Sequence, residues 1–172
     1  MGNLATPELL IARWYEVLGD ASLRNLPYKI ELNAWGKVEM SPASVNHGRL
    51  QLALGAELRQ QLQDGVAMTE CPILTDIGVR VADVVWASAD FMTRHARQSP
   101  LPRAPQICAE ILSPRNVEAE IEEKKRAYFA AGAVEVWIVA ENGSLRTFGP
   151  SGELATSSFA VTIALPDPTT GY

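Results

Sequence analysis

The chain has 172 residues, of which 47% are hydrophobic and 20% charged, and this composition predicts one globular domain over residues 1–172. Its formal net charge of -5 argues against a broad basic surface for nucleic acid, because non-specific DNA affinity comes from neutralised phosphates. No apolar run approaches the roughly 20 residues that a membrane-spanning helix needs, and we expect a cytoplasmic protein with no membrane partner.

Helical and strand patterns alternate in the first half of the chain. Residues 7–18 carry apolar side chains at helical spacing, and Thr6 can cap this helix. Residues 28–40 alternate as in a β-hairpin, whose turn falls at residues 33–36. A second helix is predicted over residues 44–62. Its inward face carries side chains at helical spacing, namely His47, Leu50, Leu54 and Leu58.

The second half of the chain predicts more strands than helices. Residues 73–86 indicate one or two strands with a break near residues 76–78, and residues 88–105 a loop or a short helix. The later elements are a strand at 107–112, a helix at 117–131, a strand at 134–139, its hairpin partner at 145–148 and a final strand at 159–165. We expect residues 166–172 to be frayed. This order predicts an α/β or α+β fold, with a mixed β-sheet flanked by helices.

A carboxylate interrupts the apolar strand predicted over residues 107–112. Glu110 shares a strand face with Cys108 and Leu112, because strand side chains alternate. Burying a carboxylate is costly unless it pairs with a cation or binds a metal. The alternative interpretation is a half-exposed Glu110 at the strand end, or a simple pair with a lysine.

A lysine interrupts the apolar stripe of the helix that follows. At about 100° per residue, one stripe of this helix carries Val117, Ile121, Lys124 and Tyr128. The other side is charged, so we expect the stripe to face the core, with Lys125 toward the flank and less buried than Lys124. Alternatively, Lys124 lays its stem on the core and reaches water with its ammonium group. Glu110 favours the inward position, because each charge then has a partner.

A second strand carboxylate, Asp83, interrupts the apolar run of residues 79–86. Asp83 and Glu110 could converge on one divalent ion, since Mg²⁺ prefers oxygen ligands and usually takes one or two carboxylates. Such an ion polarises a phosphate and lowers the pKa of water, while a nearby lysine stabilises developing charge. These parts are typical of a phosphodiester hydrolase.

The order of these residues resembles the PD-(D/E)XK nuclease superfamily, and more closely its Uma-two family of restriction endonucleases. The resemblance runs from about Glu31 to Val139. In its N-terminal part the matching residues are Glu31-Leu32, Gly36, Met40-Ser41-Pro42 and His47. In its C-terminal part they are Glu110-Ile111-Leu112-Ser113-Pro114, Glu123-Lys124, Tyr128, Ala131-Gly132 and Glu135-Val136-Trp137-Ile138-Val139.

The resemblance implies a restriction-endonuclease-like core with an N-terminal β-hairpin, and a Mg²⁺ (or Mn²⁺) site. Asp83 and Glu110 would be the metal carboxylates, and the carbonyl of Ile111 a third protein ligand. The superfamily lysine usually stands two residues after the acid, where this chain has Leu112. In the family pattern the lysine lies on the following helix, which matches Lys124.

Four further positions follow from the same resemblance. Glu31 could add a carboxylate from the hairpin, and His47 could approach the site, although packing is the favoured interpretation. The residue before Asp83 is usually proline, but here it is Ala82, which changes no ligand. Trp35 lies in a turn that departs from the family pattern. An exposed Trp35 would be a candidate contact for a partner subunit or a base, but a packed turn aromatic is favoured.

Three functions remain open on the sequence alone. The first is a Mg²⁺-dependent endonuclease on DNA, expected to be a homodimer because a twofold pair can cut both strands. The second is a catalytically inactive dimeric binding or regulatory module, which the acidic balance and the lack of a dense basic patch favour. A serine or cysteine hydrolase is disfavoured, because neither histidine stands in a motif with such a nucleophile. We predict that Cys71 and Cys108 are buried free thiols.

Overall fold

A mixed β-sheet of eight strands lies at the centre of the computed structural model, which describes residues 4–113 and 116–167. The strands are β1 (Tyr28–Asn33), β2 (Val38–Pro42), β3 (Gly65–Thr75), β4 (Gly78–Ser88), β5 (Ile107–Ile111), β6 (Glu135–Val139), β7 (Leu145–Gly149) and β8 (Gly152–Leu154). The helices are α1 (Pro7–Gly19), α2 (Val45–Gln61), α3 (Ala89–His95) and α4 (Glu118–Ala130). The predicted mixed sheet flanked by helices, with its N-terminal hairpin β1–β2, is therefore confirmed.

The strand order is β2-β1-β4-β5-β6-β7-β8, and β3 pairs with β4. The β5–β6 pair is parallel and is connected through α4, whereas the other pairs are antiparallel. This connection places the end of β5 and the inward face of α4 beside each other. The two elements that carry Glu110 and Lys124 thereby meet.

Strand β4 is the branch point of the sheet. One edge pairs with β3 from Gly78 to Ser88, while the other pairs with β1 up to Val79 and with β5 from Val84 onward. Between these two stretches, carboxylates accept backbone N–H groups. The N–H of Val81 donates to Glu31 Oε1 at 2.8 Å, and the N–H of Ile111 donates to Asp83 Oδ2 at 2.7 Å.

Helices cover both faces of the sheet. Helix α2 packs its leucines onto one face, together with Trp86 and Trp137. Helices α3 and α4 cover the other face through Phe91 and Tyr128. Helix α1 packs against the first residues of β4 and against Leu32. Side-chain oxygens of Thr6, Ser44 and Ser88 cap the N-termini of α1, α2 and α3, each accepting a backbone N–H from the first turn.

The predicted strand at 159–165 is wrong, because residues 161–167 have no regular secondary structure. The alternating side chains do pack against the α2 face: Phe159, Val161, Ile163 and Leu165 are all partly buried there. However, the backbone N–H and C=O of Thr162 bond to the side chain of Gln61 rather than to a strand. The alternation of apolar and polar side chains therefore predicted correctly which side chains pack inward, but it wrongly predicted that the backbone pairs with another strand.

Two other boundaries differ from the prediction. Strand β3 begins at Gly65, eight residues before the predicted start. The prediction missed this stretch because it is half-exposed and carries polar residues and Pro72, which hide the strand pattern. The short strand β8 was not predicted. Residues 166 and 167 have no regular structure, and the rest of the predicted frayed tail, 168–172, lies outside the described residues. None of the described helices is long and apolar enough to cross a membrane.

Candidate metal centre

Three buried carboxylates meet where β1, β4 and β5 diverge. Glu31, Asp83 and Glu110 are 8%, 1% and 4% exposed. Lys124 of α4 reaches them, with its Nζ 2.9 Å from Glu31 Oε1 and 3.2 Å from Glu110 Oε2. The structure therefore brings together the four side chains that the sequence singled out for a site.

Lys29 of β1 is a fifth member of this cluster, and the sequence analysis missed it. Its Nζ lies 2.6 Å from Asp83 Oδ1 and 3.5 Å from Glu110 Oε2. Lys29 and Glu31 are two residues apart and therefore share one face of β1, but alternation alone does not show what that face contacts. A lysine beside a glutamate on an exposed-looking hairpin gives little reason to expect burial.

Helix α4 supplies the second layer of the cluster. The hydroxyl of Tyr128, which is fully buried, donates to Glu110 Oε1 at 2.5 Å. The predicted inward stripe is correct at Tyr128 and Lys124, but Val117 at its start is 56% exposed. The expectation for Lys125 is also wrong. Its side chain is 12% exposed against 17% for Lys124, since it lies over the ring of Phe148.

His47 also belongs to the cluster, so the favoured interpretation of simple packing is wrong. From the first turn of α2, its Nε2 lies 3.3 Å from Asp83 Oδ1. His47, Asp83 and the exposed Glu70 offer ligand atoms within 4.8 Å of one another. Gln51 holds this group together, because its Nε2 donates to Glu70 Oε1 at 2.7 Å and to the Asp83 carbonyl at 2.8 Å.

The charges in the cluster shift one another's pKa values in different directions. Burial alone would raise the pKa of Asp83, but the Lys29 ammonium and the hydrogen bond from His47 outweigh it and hold that pKa well below its usual range. The pKa of Glu31 is also lowered, because Lys124 and Lys29 outweigh its burial. Burial dominates at Glu110, whose pKa is raised despite both lysines. The hydrogen bond to Asp83 raises the pKa of His47.

The donor set of Asp83 and Glu110 fits a hard divalent cation, which prefers oxygen ligands. The N–H of Ile111 already faces Asp83. A strand residue presents its N–H and C=O on the same edge, so the Ile111 carbonyl faces the same gap. His47, Glu70 and Asp83 form a second group of possible ligands. Asp83 is common to both groups.

A cavity of about 300 Å³ opens beside the cluster. Its charged lining is mostly acidic, since Lys124 and Arg80 face Glu31, Glu39, Glu120 and Glu123. Arg80 is 8% exposed and ion-pairs with Glu39 Oε2 at 2.6 Å, while its Nε has no hydrogen-bond partner among the described residues. Glu31 and Lys124 line the cavity, whereas Asp83 and Glu110 do not.

Three other sequence expectations can be compared with the structure. Trp35 is 54% exposed, so the favoured packed turn aromatic is wrong. Cys71 and Cys108 are buried free thiols, as predicted. Burial raises the pKa of Cys71 to about 12, which makes its thiolate scarce at neutral pH. Burial also raises the pKa of Cys108, so neither cysteine resembles a nucleophile.

The chain is similar to known proteins in sequence and in fold. Residues 16–169 match the model of the Uma2 (Uma-two) family, described as "Putative restriction endonuclease". The fold is similar to a crystal structure titled "a putative nuclease belonging to DUF820" from Anabaena variabilis ATCC 29413. The TM-score is 0.62 at 16% identity, over 76% of this chain and 83% of the other. No curated protein matches the sequence. Because the family model covers most of its length, the chain belongs to the Uma2 family.

Proposed function

We propose that this protein is a Mg²⁺-dependent (or Mn²⁺-dependent) endonuclease that hydrolyses phosphodiester bonds in DNA. One observation carries the proposal. In a chain of a restriction-endonuclease family, three carboxylates and a helix-borne lysine from distant parts of the sequence meet in one buried cluster. Buried charge of this density is costly to keep and is concentrated at functional sites.

In this proposal Asp83 and Glu110 hold the metal, and the Ile111 carbonyl is the third protein ligand. The bound ion would polarise the scissile phosphate and favour deprotonation of an attacking water. Glu31 contributes by positioning Lys124, because its Oε1 accepts a hydrogen bond from Lys124 Nζ at 2.9 Å. Tyr128 orients Glu110 by donating to its other oxygen.

Of the cluster residues, Glu31 and Lys124 line the cavity, whereas Asp83 and Glu110 do not. Lys124 is the cation of this pair. Its ammonium therefore stands where a phosphate would enter, and it can stabilise charge that develops on the phosphate oxygens. We propose Asp83, Glu110, Lys124 and Glu31 as the catalytic group on this basis.

The wider setting of this activity is also part of the proposal. We infer a single nuclease-like domain over residues 1–172, acting in the cytoplasm as a homodimer on DNA. Exposed Trp35, at the tip of the β1–β2 hairpin, is a candidate contact for the partner subunit or for a base. The similar structure from Anabaena is titled "a putative nuclease", and that title supports nucleic acid as the substrate class.

A second candidate function is a catalytically inactive, dimeric binding or regulatory module that keeps the nuclease fold. The acidic lining of the cavity favours it, because Glu39, Glu120 and Glu123 repel a phosphate backbone. The two candidates differ in metal binding, since an inactive module has no need to bind a divalent ion.

The deciding experiment is cleavage of supercoiled plasmid DNA with Mg²⁺ or Mn²⁺, comparing the wild type with Lys124→Ala and Lys125→Ala. We expect Lys124→Ala to lose at least about a hundredfold in rate, as for removal of one charge-stabilising donor. Lys125→Ala is the matched control, because Lys125 is similarly buried on the same helix but pairs with Glu122. Wild-type turnover in Lys124→Ala would contradict the assignment. Calorimetry showing no bound Mg²⁺ or Mn²⁺ would favour the inactive module.

A further inference from the structure

Lys29 bridges the two carboxylate oxygens that a metal ion would need. Its ammonium contacts Asp83 Oδ1 at 2.6 Å and Glu110 Oε2 at 3.5 Å. The remaining oxygens of both carboxylates are also engaged, Asp83 Oδ2 by the N–H of Ile111 and Glu110 Oε1 by Tyr128. A cation that takes one oxygen from each residue without breaking these two hydrogen bonds takes the pair that Lys29 bridges. Lys124 also contacts the Glu110 oxygen, at 3.2 Å, and His47 contacts the Asp83 oxygen, at 3.3 Å, but Lys29 is the lysine that contacts both.

Lys29 and the two carboxylates that it contacts are all buried. The Lys29 side chain is 9% exposed, although lysine is rarely buried unless it is paired. The side chains of Asp83 and Glu110 are 1% and 5% exposed, so little water compensates them. Without Lys29, two desolvated carboxylates would face each other with only Lys124 and His47 to balance them.

The formal charges of the cluster also indicate that its lysines act in place of a metal ion. Glu31, Asp83 and Glu110 carry three negative charges, and Lys29 and Lys124 carry two positive charges, so these five side chains leave one formal negative charge. Arg80 also contacts Glu31, at 3.5 Å, but its charge is balanced more closely by Glu39, at 2.6 Å. A divalent ion added to this set would leave one formal positive charge. A metal-free site this close to neutrality attracts a metal ion only weakly.

We propose that Lys29 is a resident counter-ion of the metal centre: its ammonium occupies the metal position in the metal-free protein, and a divalent ion binds by displacing it. This inference rests on the proposed function, because it takes Asp83 and Glu110 as the metal carboxylates. The four-carbon stem of lysine allows the displacement without movement of β1. The displaced ammonium stays beside the centre, where it can pair with an incoming phosphate.

Metal binding to Lys29→Met tests the exchange directly. This variant keeps the length and volume of the side chain and removes its charge. In calorimetric titrations with Mn²⁺ and Mg²⁺ we expect affinity to rise by about tenfold or more, because one charge-assisted pair no longer competes. Lys125→Met is the matched control, because the Lys125 side chain is nearly as buried as that of Lys29 but pairs with Glu122, and its metal affinity should not change. Unchanged or weaker metal binding by Lys29→Met would overturn the proposal.

Two further measurements keep the test decisive if Lys29→Met folds poorly. Lys29→Arg retains the charge, so its metal affinity should stay at or below that of the wild type. In the ¹⁵N-labelled wild type, the ammonium signal of Lys29 should be visible without metal and should disappear at saturating Mg²⁺. A signal that persists at saturation would refute displacement.

The outcomes also separate this inference from the nuclease assignment. If the wild type binds no metal and Lys29→Met does, Lys29 occupies the metal position permanently, so displacement by an ion and the proposed activity both fail. If the wild type binds metal and cleaves DNA but Lys29→Met binds no more tightly, the nuclease assignment stands and the counter-ion role is wrong. If neither binds metal, both fail.

Discussion

Two buried glutamates on the neighbouring strands β5 and β6 show two different ways to keep a carboxylate out of water. Glu135, which is 1% exposed, accepts hydrogen bonds from neutral groups in the described part of the chain. The donors are Trp137 Nε1, Ser157 Oγ, and the N–H and hydroxyl of Ser158. Glu110, which is 4% exposed, is instead balanced by two lysines and one tyrosine.

The difference indicates which carboxylate can change partners. Neutral donors fixed in the backbone and in a tryptophan ring hold Glu135 rigidly, and they tie the segment around Ser157 to the sheet. The lysines at Glu110 are long, flexible and charged, so another cation can replace them. Burial alone is therefore a poor marker of a site. The identity of the compensating groups distinguishes a structural carboxylate from an exchangeable one.

The largest stability effect expected from this comparison is at Glu135. Each oxygen of Glu135 accepts one N–H, from Trp137 or from Ser158, so Glu135→Gln places its amide NH₂ against one of these two donors. We therefore expect a loss of about 3 kcal/mol in the free energy of unfolding. Metal binding should be unchanged, because the residue lies at the opposite end of β6 from the cluster. Urea denaturation with parallel Mn²⁺ calorimetry measures both. If Glu135→Gln were stable but lost metal binding, Glu135 would be a site residue and not a structural carboxylate.

A smaller loss is expected at Asp83, and almost none at Glu110. The pKa of Asp83 is lowered, so the fold favours its charged form, and Asp83→Asn should cost about 2 kcal/mol at pH 7 without metal. The pKa of Glu110 is raised, so the fold tolerates the neutral form, and Glu110→Gln should cost less than about 1 kcal/mol. Chemical denaturation in a chelator measures both values.

The sign of the Asp83 effect can be checked with pH. A lowered pKa contributes stability that is complete above the unfolded-state value of about 4 and is lost as the pH falls through the folded value. Because Asp83 raises the pKa of His47, the stability gap between the wild type and Asp83→Asn should widen as His47 becomes protonated between about pH 7 and pH 5, and should shrink below about pH 4 as Asp83 itself is protonated. A gap that widened below about pH 4 would contradict this direction.

The smallest effect is expected at Trp35, which is exposed at the hairpin tip. Trp35→Ala should change the free energy of unfolding by no more than about 0.5 kcal/mol, as is usual for surface positions. If the hairpin lies in a dimer interface, sedimentation should show weaker self-association of the variant. An unchanged sedimentation profile with unchanged DNA binding would leave Trp35 without a role as a contact.

The sequence predicted the fold and much of the cluster because each clue was local. Helical spacing, caps and alternation located most elements, and charges inside apolar patterns revealed Glu110 and Lys124. Lys29 and His47 were missed or misjudged because nothing near them in sequence shows that β1, α2 and β4 meet. The same limit explains the wrong strand at 159–165, where the partner of the backbone is the side chain of Gln61.

The carboxylates that fill the gap beside β4 also couple the state of the site to two backbone amide groups. Glu31 and Asp83 accept the amide protons of Val81 and Ile111, two groups that would otherwise be satisfied by a neighbouring strand. Amide hydrogen exchange at these two positions therefore reports how firmly each carboxylate is held. An event at the cluster, whether arrival of an ion or departure of an ammonium, becomes visible at the peptide groups themselves, with no substrate and no chemical label.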